Sequence, residues 1–360
     1  MSTSDKRGPL QVARRARLLE ALQRDGVLRI SDLTGTLGAA AVTIRRDIAQ
    51  LAEEGLVRRV HGGVALPDAE AEPMLDSGGS IGMLVPSLDY YWPDVARGAE
   101  EVARELDLRV VLRGSSYESE DDLPQLTRLV EQGADALVVA PRMDAPTSAR
   151  TIEWLAGAGI PVVLLERTAT AGPHHAVLES VVTDHALGAE MAVRHLVSLG
   201  HRRVGTVLAE HSPTTPHVHR GWLAAVSECG LPATDTVDAL VPDAKLASSA
   251  AALDAALDRC LAVGVTALLV HADAEAIALV QRCEDRRLSV PGDLSVVAYD
   301  DEVAGLFSPA LTAVRPPRRS IGRAAVRLVA DRLSDPDRPT HRVVISPSLR
   351  IRSSTAAVPG

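Results

Sequence analysis

Residues 43–63 read TIRRDIAQLAEEGLVRRVHGG. Ile44, Ile48 and Leu51 recur at i, i+4 and i+7, the spacing of one helical face, and Gly55 ends the pattern. Turning those residues inward leaves Thr43, Arg45, Arg46 and Gln50 on the opposite face. Residues 56–60 then alternate as a strand does, His61-Gly62-Gly63 has turn chemistry, and Val64-Ala65-Leu66 returns as a second strand. Upstream, Val12, Ala16, Leu19 and Leu22 predict a first helix over about 10–24, and residues 27–30 a short strand. Ser31 caps a second helix over 32–37, with Leu33 and Leu37 inward, that Gly38 stops. Helix, helix-turn-helix and β-hairpin in that order make a winged helix. In this geometry the third helix enters a major groove, where Thr43, Arg45, Arg46 and Gln50 reach base edges. Arg58, Arg59 and His61 on the hairpin meet the backbone phosphates. A merely solvated arginine face is the plain alternative for any one pair; the ordered set favours duplex DNA.

Charge divides the chain the same way. Residues 1–66 hold eleven basic and seven acidic residues, a net +4, and the remainder holds 27 against 40, a net −13. Only Lys6 and Lys245 are lysines, so the preference for arginine is a habit of the whole chain and not by itself a sign of nucleic acid. Residues 67–79, PDAEAEPMLDSGG, are acidic, punctuated by proline and glycine and without periodicity, and read as a linker. The expected organisation is a DNA-binding head over 1–66, a linker over 67–79 and a larger body over 80–354. The N-terminus has no apolar core of a secretion signal, and no run approaches the roughly 20 apolar residues of a membrane span, so a cytoplasmic protein is expected. Cys229, Cys260 and Cys283 are odd in number and lack metal-ligand spacing, which points to neither a disulfide framework nor a zinc site.

From Ile81 onward, apolar runs of strand length alternate with amphipathic helical stretches in two series. Strands this uniformly apolar must be covered on both faces, so each series implies a doubly wound parallel sheet, and the body is expected to be two α/β lobes facing a cleft. Ligands of such sheets lie beyond the carboxyl ends of the strands. The residues there are Asp89, Tyr90, Tyr91 and Trp92 after the first strand, Ser115, Ser116 and Tyr117 after the second, and then Arg142, Glu166, Arg167, Asp184, Glu210, Asp273, Asp300 and Asp301. Four of the chain's eight aromatic residues fall in just two of these loops. Rings that stack on a sugar or base, beside Asp, Glu and Arg, suit a polyol or nucleoside-like ligand.

Two resemblances bear on these readings. The head resembles the helix-turn-helix domain of the deoxyribose-operon repressor (DeoR) family, whose T-I-R-R-D-L and R-V-H-G-G elements stand here at residues 43–48 and 59–63. Ala40 occupies a place where that family usually has a capping serine. The body, through IGMLVPSLDYYWPDVARGAEEVA, VVTDHALGAEMAVRHLVSLGHRRVG and VPGDLSVVAYDDEVAGLFSPALTAVRPP, resembles the effector-binding domain of lac/galactose-repressor-type regulators, a periplasmic-binding-protein-like fold, over about 81–352. The chain looks like one family's DNA reader grafted onto another's sensor. The second resemblance implies that Arg220 holds ligand hydroxyls, that Asp300 is an acidic partner across the cleft, and that Asp89 and Trp92 are first-loop contacts. It also marks two departures: Ala272-Asp273 replaces the usual Asn-Asp, and Arg315 replaces the usual Gln. A cation gained at Arg315 favours an acidic sugar or phosphate, or pairs with a nearby carboxylate.

The expected function is therefore a sequence-specific regulator, a repressor in its simplest form. It is read as a homodimer on operator DNA, controlled by a small polar effector such as a sugar. Neither cofactor nor metal is implied. The rival readings are a cytoplasmic sugar-binding protein or a carbohydrate-active enzyme with an accessory DNA-binding head. No carboxylate pair, nucleophile elbow, Walker loop or metal motif in the sequence supports an enzyme.

Overall fold

The computed structural model describes residues 14, 15, 17, 18, 21, 22, 27–29, 33, 39, 41–53, 57–60 and 63–65 of the N-terminal part, and 78–115, 121–232, 236–244 and 246–358 beyond it. The chain divides into two units, Met1–Asp76 and Ser77–Gly360.

In the first unit residues 14, 15, 17, 18, 21 and 22 are helical, followed by β1 (Val27–Arg29), α1 (Ala41–Glu53), β2 (Arg58–Val60) and β3 (Gly63–Ala65). β3 lies between β1 and β2, antiparallel to both. Leu18, Leu22, Leu33, Ile44, Ile48, Leu51, Val57 and Val64 form its core. The three apolar positions of α1 read from the sequence are all buried. On the first helix Leu18, one turn before Leu22, is buried; the expectations for Val12, Ala16, Leu19, Leu37 and the Ser31 and Ala40 caps fall outside the described residues. A contact not legible in the pattern ties that helix to α1: buried Asp47 accepts from Arg14 Nε at 2.6 Å and faces Arg15 Nε at 3.4 Å. Two of the head's arginines thus serve its own core.

The second unit is two lobes, each a six-stranded sheet. Lobe 1 contains β4 (Ser80–Val85), α2 (Tyr91–Glu105), β5 (Arg109–Gly114), α3 (Leu123–Glu131), β6 (Ala136–Val139), α4 (Ser148–Ala156), β7 (Val162–Leu165), the small hairpin β8 (Thr170–Ala171) and β9 (Ala176–Val177), and β10 (Glu179–Thr183). The chain then enters lobe 2 with α5 (His185–Ser198), β11 (Val204–Ala209), α6 (Thr215–Glu228), β12 (Asp238–Val241), α7 (Ala247–Val263), β13 (Ala267–His271), α8 (Asp273–Asp285), β14 (Ser295–Tyr299) and β15 (Thr312–Arg315). It returns through α9 (Arg318–Ser334) and β16 (Arg342–Ile345) to lobe 1, and ends in lobe 2 with β17 (Ser348–Arg350). Sheet orders are β5-β4-β6-β7-β10-β16 and β12-β11-β13-β14-β15-β17. Every neighbouring pair is parallel except β15 with β17.

Counted within its lobe, each sheet has the order 2-1-3-4-5-6 and reverses direction of progress between its first and third strands. That reversal opens a crevice at the carboxyl edge. The lobes are joined by three short connections, β10 to α5, β15 to α9 and β16 to β17. Buried Glu179 secures the returning segment by pairing with Arg332 at 3.1 Å and Arg338 at 2.6 Å. The sequence missed β12, β15, β16 and β17. β12 and β16 alternate between exposed and partly buried positions at sheet edges and lack the continuous apolar run of central strands. Helix α6 starts at Thr215 with Pro216 in its first turn, where a missing N–H costs nothing.

Each lobe has one helix pair in unusually close contact. A Cβ at Gly98 of α2 would stand 2.1 Å from the Arg319 carbonyl oxygen of α9, and one at Gly322 1.9 Å from the Val95 carbonyl oxygen. In lobe 2, Gly221 of α6 makes the same approach to Ala186 of α5. Gly98→Ala is expected to destabilise the second unit by roughly 1–3 kcal/mol through overpacking, measured as a lowered urea midpoint. An unchanged midpoint would mean that α2 and α9 are free to move apart.

Candidate functional site

The carboxyl ends of the two sheets enclose a cavity of about 1070 Å³. Lobe 1 contributes Pro86, Arg142, Met143, Asp144, Glu166, Arg167 and Thr168; the β10–α5 crossing contributes Thr183, Asp184 and His185. Lobe 2 contributes Glu210, His211, Ser212, Pro213, Thr214, His217 and Arg220. These are the loops after β4, β6 and β7 on one side and after β11 on the other, beside the two crevices the topology creates. Glu166, Asp300 and Asp301, just after strand ends, and Tyr90, just before α2, have positive φ, a backbone strain that collects where loops are held in fixed shapes.

At the back of this region a polar chain joins the lobes. Tyr91 Oη donates to Glu166. Glu166 also accepts from the Thr183 N–H at 2.8 Å and its hydroxyl at 2.6 Å, and faces His185 Nε2 at 3.4 Å. His185 Nδ1 lies 3.0 Å from Tyr299 Oη, the Tyr299 ring packs edge-on against His271 at 5.4 Å, and His271 Nε2 meets the Thr214 hydroxyl at 2.9 Å. Burial disfavours charge on Glu166, yet the facing His185 and the Thr183 donors outweigh it and hold the carboxyl at about 2. Burial pushes His271 down to about 4, so it is neutral.

The structure sorts the residues expected at the strand ends. It brings Arg142, Glu166, Arg167, Asp184 and Arg220 together around one cavity. It does not bring Trp92, which is buried in the lobe 1 core, nor Tyr90, which is exposed and outside the cavity wall. Asp89 and Ser115 also lie off the wall: the Asp89 N–H donates to Ser87, and the Ser115 N–H to Val85 of β4. Tyr117 and Ser116 are outside the described residues. Asp273 corrects the expectation of a ligand contact, because its carboxylate is occupied by the backbone. It accepts from the N–H groups of Asp301, Glu302, Val303 and Ala304 at 2.7–3.1 Å, building the β14 loop. Asp300 is not in the wall either; burial pushes its carboxyl up against the opposing pull of Arg318 and His185, and Arg318 donates to its carbonyl. Arg315 pairs with buried Asp301 at 2.6 Å, and Arg352 takes the other oxygen at 2.7 Å. The cation that departs from the family pattern is thus paired locally, sharing the Asp301 carboxylate with Arg352. Sequence reasoning missed His185, Thr214, His217 and Tyr299; the signal available was their position within one or two residues of a strand end or helix start.

Comparisons with known proteins fit this architecture. A profile of the DeoR-like helix-turn-helix domain matches residues 14–70, and one of the periplasmic binding protein-like domain matches residues 193–355. The chain is 25% identical to the HTH-type transcriptional regulator DegA of Bacillus subtilis over 77% of this chain and 80% of that protein. It is 28% identical to the HTH-type transcriptional regulator MalR of Streptomyces coelicolor over 79% and 83%. The chain is a helix-turn-helix transcriptional regulator. It joins a DeoR-like helix-turn-helix domain to a periplasmic binding protein-like domain. In fold the regulator is similar to a LacI family regulator of Enterococcus faecium solved with bound ribose, with a TM-score of 0.63 and 23% identity over 78% of this chain and all of that one.

On the regulator's head, α1 leaves Arg46 exposed and Thr43 and Gln50 partly so. Gln50 also accepts a hydrogen bond from Arg15, which fixes its side chain. Arg45 lies on α1, and Arg58 and Arg59 on β2; their side chains, and His61, are outside the described set. Among the described residues no helix of the regulator is long and apolar enough to cross a membrane.

The shifted groups predict how the regulator's stability depends on pH. His271 binds its proton less readily in the fold than at the ordinary 6.5. The unfolded chain therefore takes up more protons between pH 6.5 and about 4, and His271's contribution is lost as pH falls through that window. Glu302, pushed up to about 7 by burial against the pull of Arg318, acts in the opposite sense, so the two are separated by substitution. Urea titrations at pH 6.5 and 4 should show His271→Gln losing about 3 kcal/mol less than wild type between them, the worth of a shift of this size. Equal losses would show that His271 takes up its proton as readily in the fold as outside it.

Proposed function

We propose that this regulator represses transcription as a homodimer and that a sugar or sugar derivative, bound in the cavity between its lobes, controls its affinity for operator DNA. The observation that carries the reading is the cavity itself. Arg142 and Arg167 from one lobe, Arg220 and Glu210 from the other and Asp184 from the crossing between them line one cavity of about 1070 Å³. Guanidinium and carboxylate groups suit the hydroxyls of a small polyol, and the relative solved with ribose is consistent with that class of ligand. The three connections form a hinge. Ligand that touches both lobes favours the closed arrangement, and closure changes how the two heads of a dimer meet a pseudo-palindromic site. Linkage makes the effect reciprocal: operator and effector alter each other's affinity by the same factor.

Thr43, Arg45, Arg46, Gln50, Arg58, Arg59 and His61 are proposed as the DNA contacts, within a head over 1–66 joined by a linker over 67–79 to the body over 80–354. The protein is read as cytoplasmic and without catalytic activity.

Arg46→Ala should abolish operator-selective binding in gel shifts and leave melting within about 0.5 kcal/mol of wild type, as expected for an exposed side chain. Raising salt from 50 to 200 mM should weaken the wild-type complex steeply through counterion release. A flat salt response, or an unaffected variant, would remove the recognition-helix assignment.

A further inference from the structure

Among the described residues, no Phe, Trp or Tyr lines the cavity. Stacking on a sugar face is therefore not available there, and recognition falls to arginine, imidazole, hydroxyl and carboxylate groups. The four carboxylates of the wall are unequally available. Glu166 is taken up by Tyr91, both donors of Thr183 and the facing His185. Asp144 pairs with Arg142 at 3.1 Å. Asp184 caps α5 by accepting from the Leu187 N–H at 3.0 Å through one oxygen, which leaves the other. Among the described residues, the one charged partner of Glu210 is His211, at 4.0 Å.

Among the cations, Arg142 pairs with Asp144 and Arg167 donates to the Glu166 carbonyl at 2.7 Å. Arg220 meets His217 Nδ1 at 3.3 Å and forms no ion pair with a carboxylate among the described residues. Two further observations locate the positive charge. His217 is shifted toward its neutral form by burial first, and then by Arg220 of lobe 2, His185, and Arg167 of lobe 1. Asp144 is held down chiefly by Arg142, and Arg167 adds to the effect. Arg167 and Arg220, from opposite lobes, thus bear on the same imidazole.

Resting on the sensor reading above, we propose that the effector is an anionic polyol, a sugar acid or a sugar phosphate. Its carboxylate or phosphate lies between Arg167 and Arg220, and Asp184 and Glu210 accept from its hydroxyls. The planar guanidinium fork matches both anions through paired hydrogen bonds. His217, neutral, accepts or donates beside them without adding charge. An anion shared by arginines of two lobes draws the lobes together, whereas a neutral sugar lacks that pull. Arg315 plays no part, since it is paired with Asp301 and lies off the cavity wall.

Isothermal titration of the full-length protein with matched pairs tests this: galacturonate against galactose, gluconate against glucose, and ribose 5-phosphate against ribose, with inorganic phosphate alone as a further arm. The expected result is that one acid binds at least about tenfold more tightly than its neutral counterpart, the least that a charge-assisted pair contributes, and that the margin shrinks with added salt. Whether carboxylates or phosphates show the margin identifies the source of the anion. Arg167→Ala and Arg220→Ala should each erase the margin, and Arg220→Lys should keep part of it. The ratio of acid to neutral affinity is internal to each protein, so a general loss of folding does not mimic the result. If a neutral sugar binds as well as its acid, or inorganic phosphate accounts for all binding, the anionic polyol is overturned while the sensor reading stands. If no compound of the panel binds and none alters operator affinity in gel shifts, both fall.

Discussion

A parallel strand buried on both faces has chemistry to offer only at its ends. β4, β6, β11, β13 and β14 are such strands, buried along nearly their whole lengths, and the loops at their carboxyl ends carry most of the polar groups discussed above. Both sheets share one strand order, and three connections hold their carboxyl edges toward each other. The cavity is therefore a consequence of topology before it is a consequence of any side chain. Side chains decide what it accepts.

Among those side chains, Glu166 has the most constrained position. Its charge is enclosed yet retained, because four groups from α2, β10 and the start of α5 converge on two oxygens. Enclosing a carboxylate without such partners raises its proton affinity by several units; here the opposite happens. Removing His185 or Thr183 would leave part of that charge unmatched. The polar chain from Tyr91 to Thr214 is thus a structural tie between lobes, and the arginines of the cavity wall beside it are the groups proposed to meet a ligand. Asp301 and Asp273 work in a similar way on the far side, one bound by Arg315 and Arg352 and the other by four backbone N–H groups.

Much of the architecture was legible in the sequence. The inward positions of α1 and the central strands of both lobes follow directly from apolar spacing, because burial on one stripe or on two faces leaves a simple periodic mark. Edge strands such as β12 and β16 leave a weaker one, since half their residues face water. The cavity was partly legible: Arg142, Glu166, Arg167, Asp184 and Arg220 stand where strand ends place them. Trp92, Tyr90 and Asp273 sit at equivalent points in the chain but went elsewhere, and position alone does not say whether a side chain turns toward the cleft, into the core or onto the backbone. Trp92 turned inward because it lies in the first turn of α2, whose apolar face covers the sheet. Arg315 illustrates the same limit: its partner, Asp301, is close in space only once β14 and β15 lie side by side.

The return of α9 and β16 to lobe 1 has a consequence for biosynthesis. Lobe 1 is discontinuous in the chain: β4 through β10 emerge from the ribosome first, but the helix that covers them and the strand that closes their sheet follow only after all of β11 to β15. Until then the surface of α2 around Gly98 and the free edge of β10 stay uncovered, so the half begun first waits for nearly the whole chain, and lobe 2 in turn gains its edge strand β17 after that. Fragments cut between the lobes would each lack a piece encoded in the other. Expressing either lobe by itself therefore calls for rejoining distant segments with a new loop, not for trimming the gene at one end.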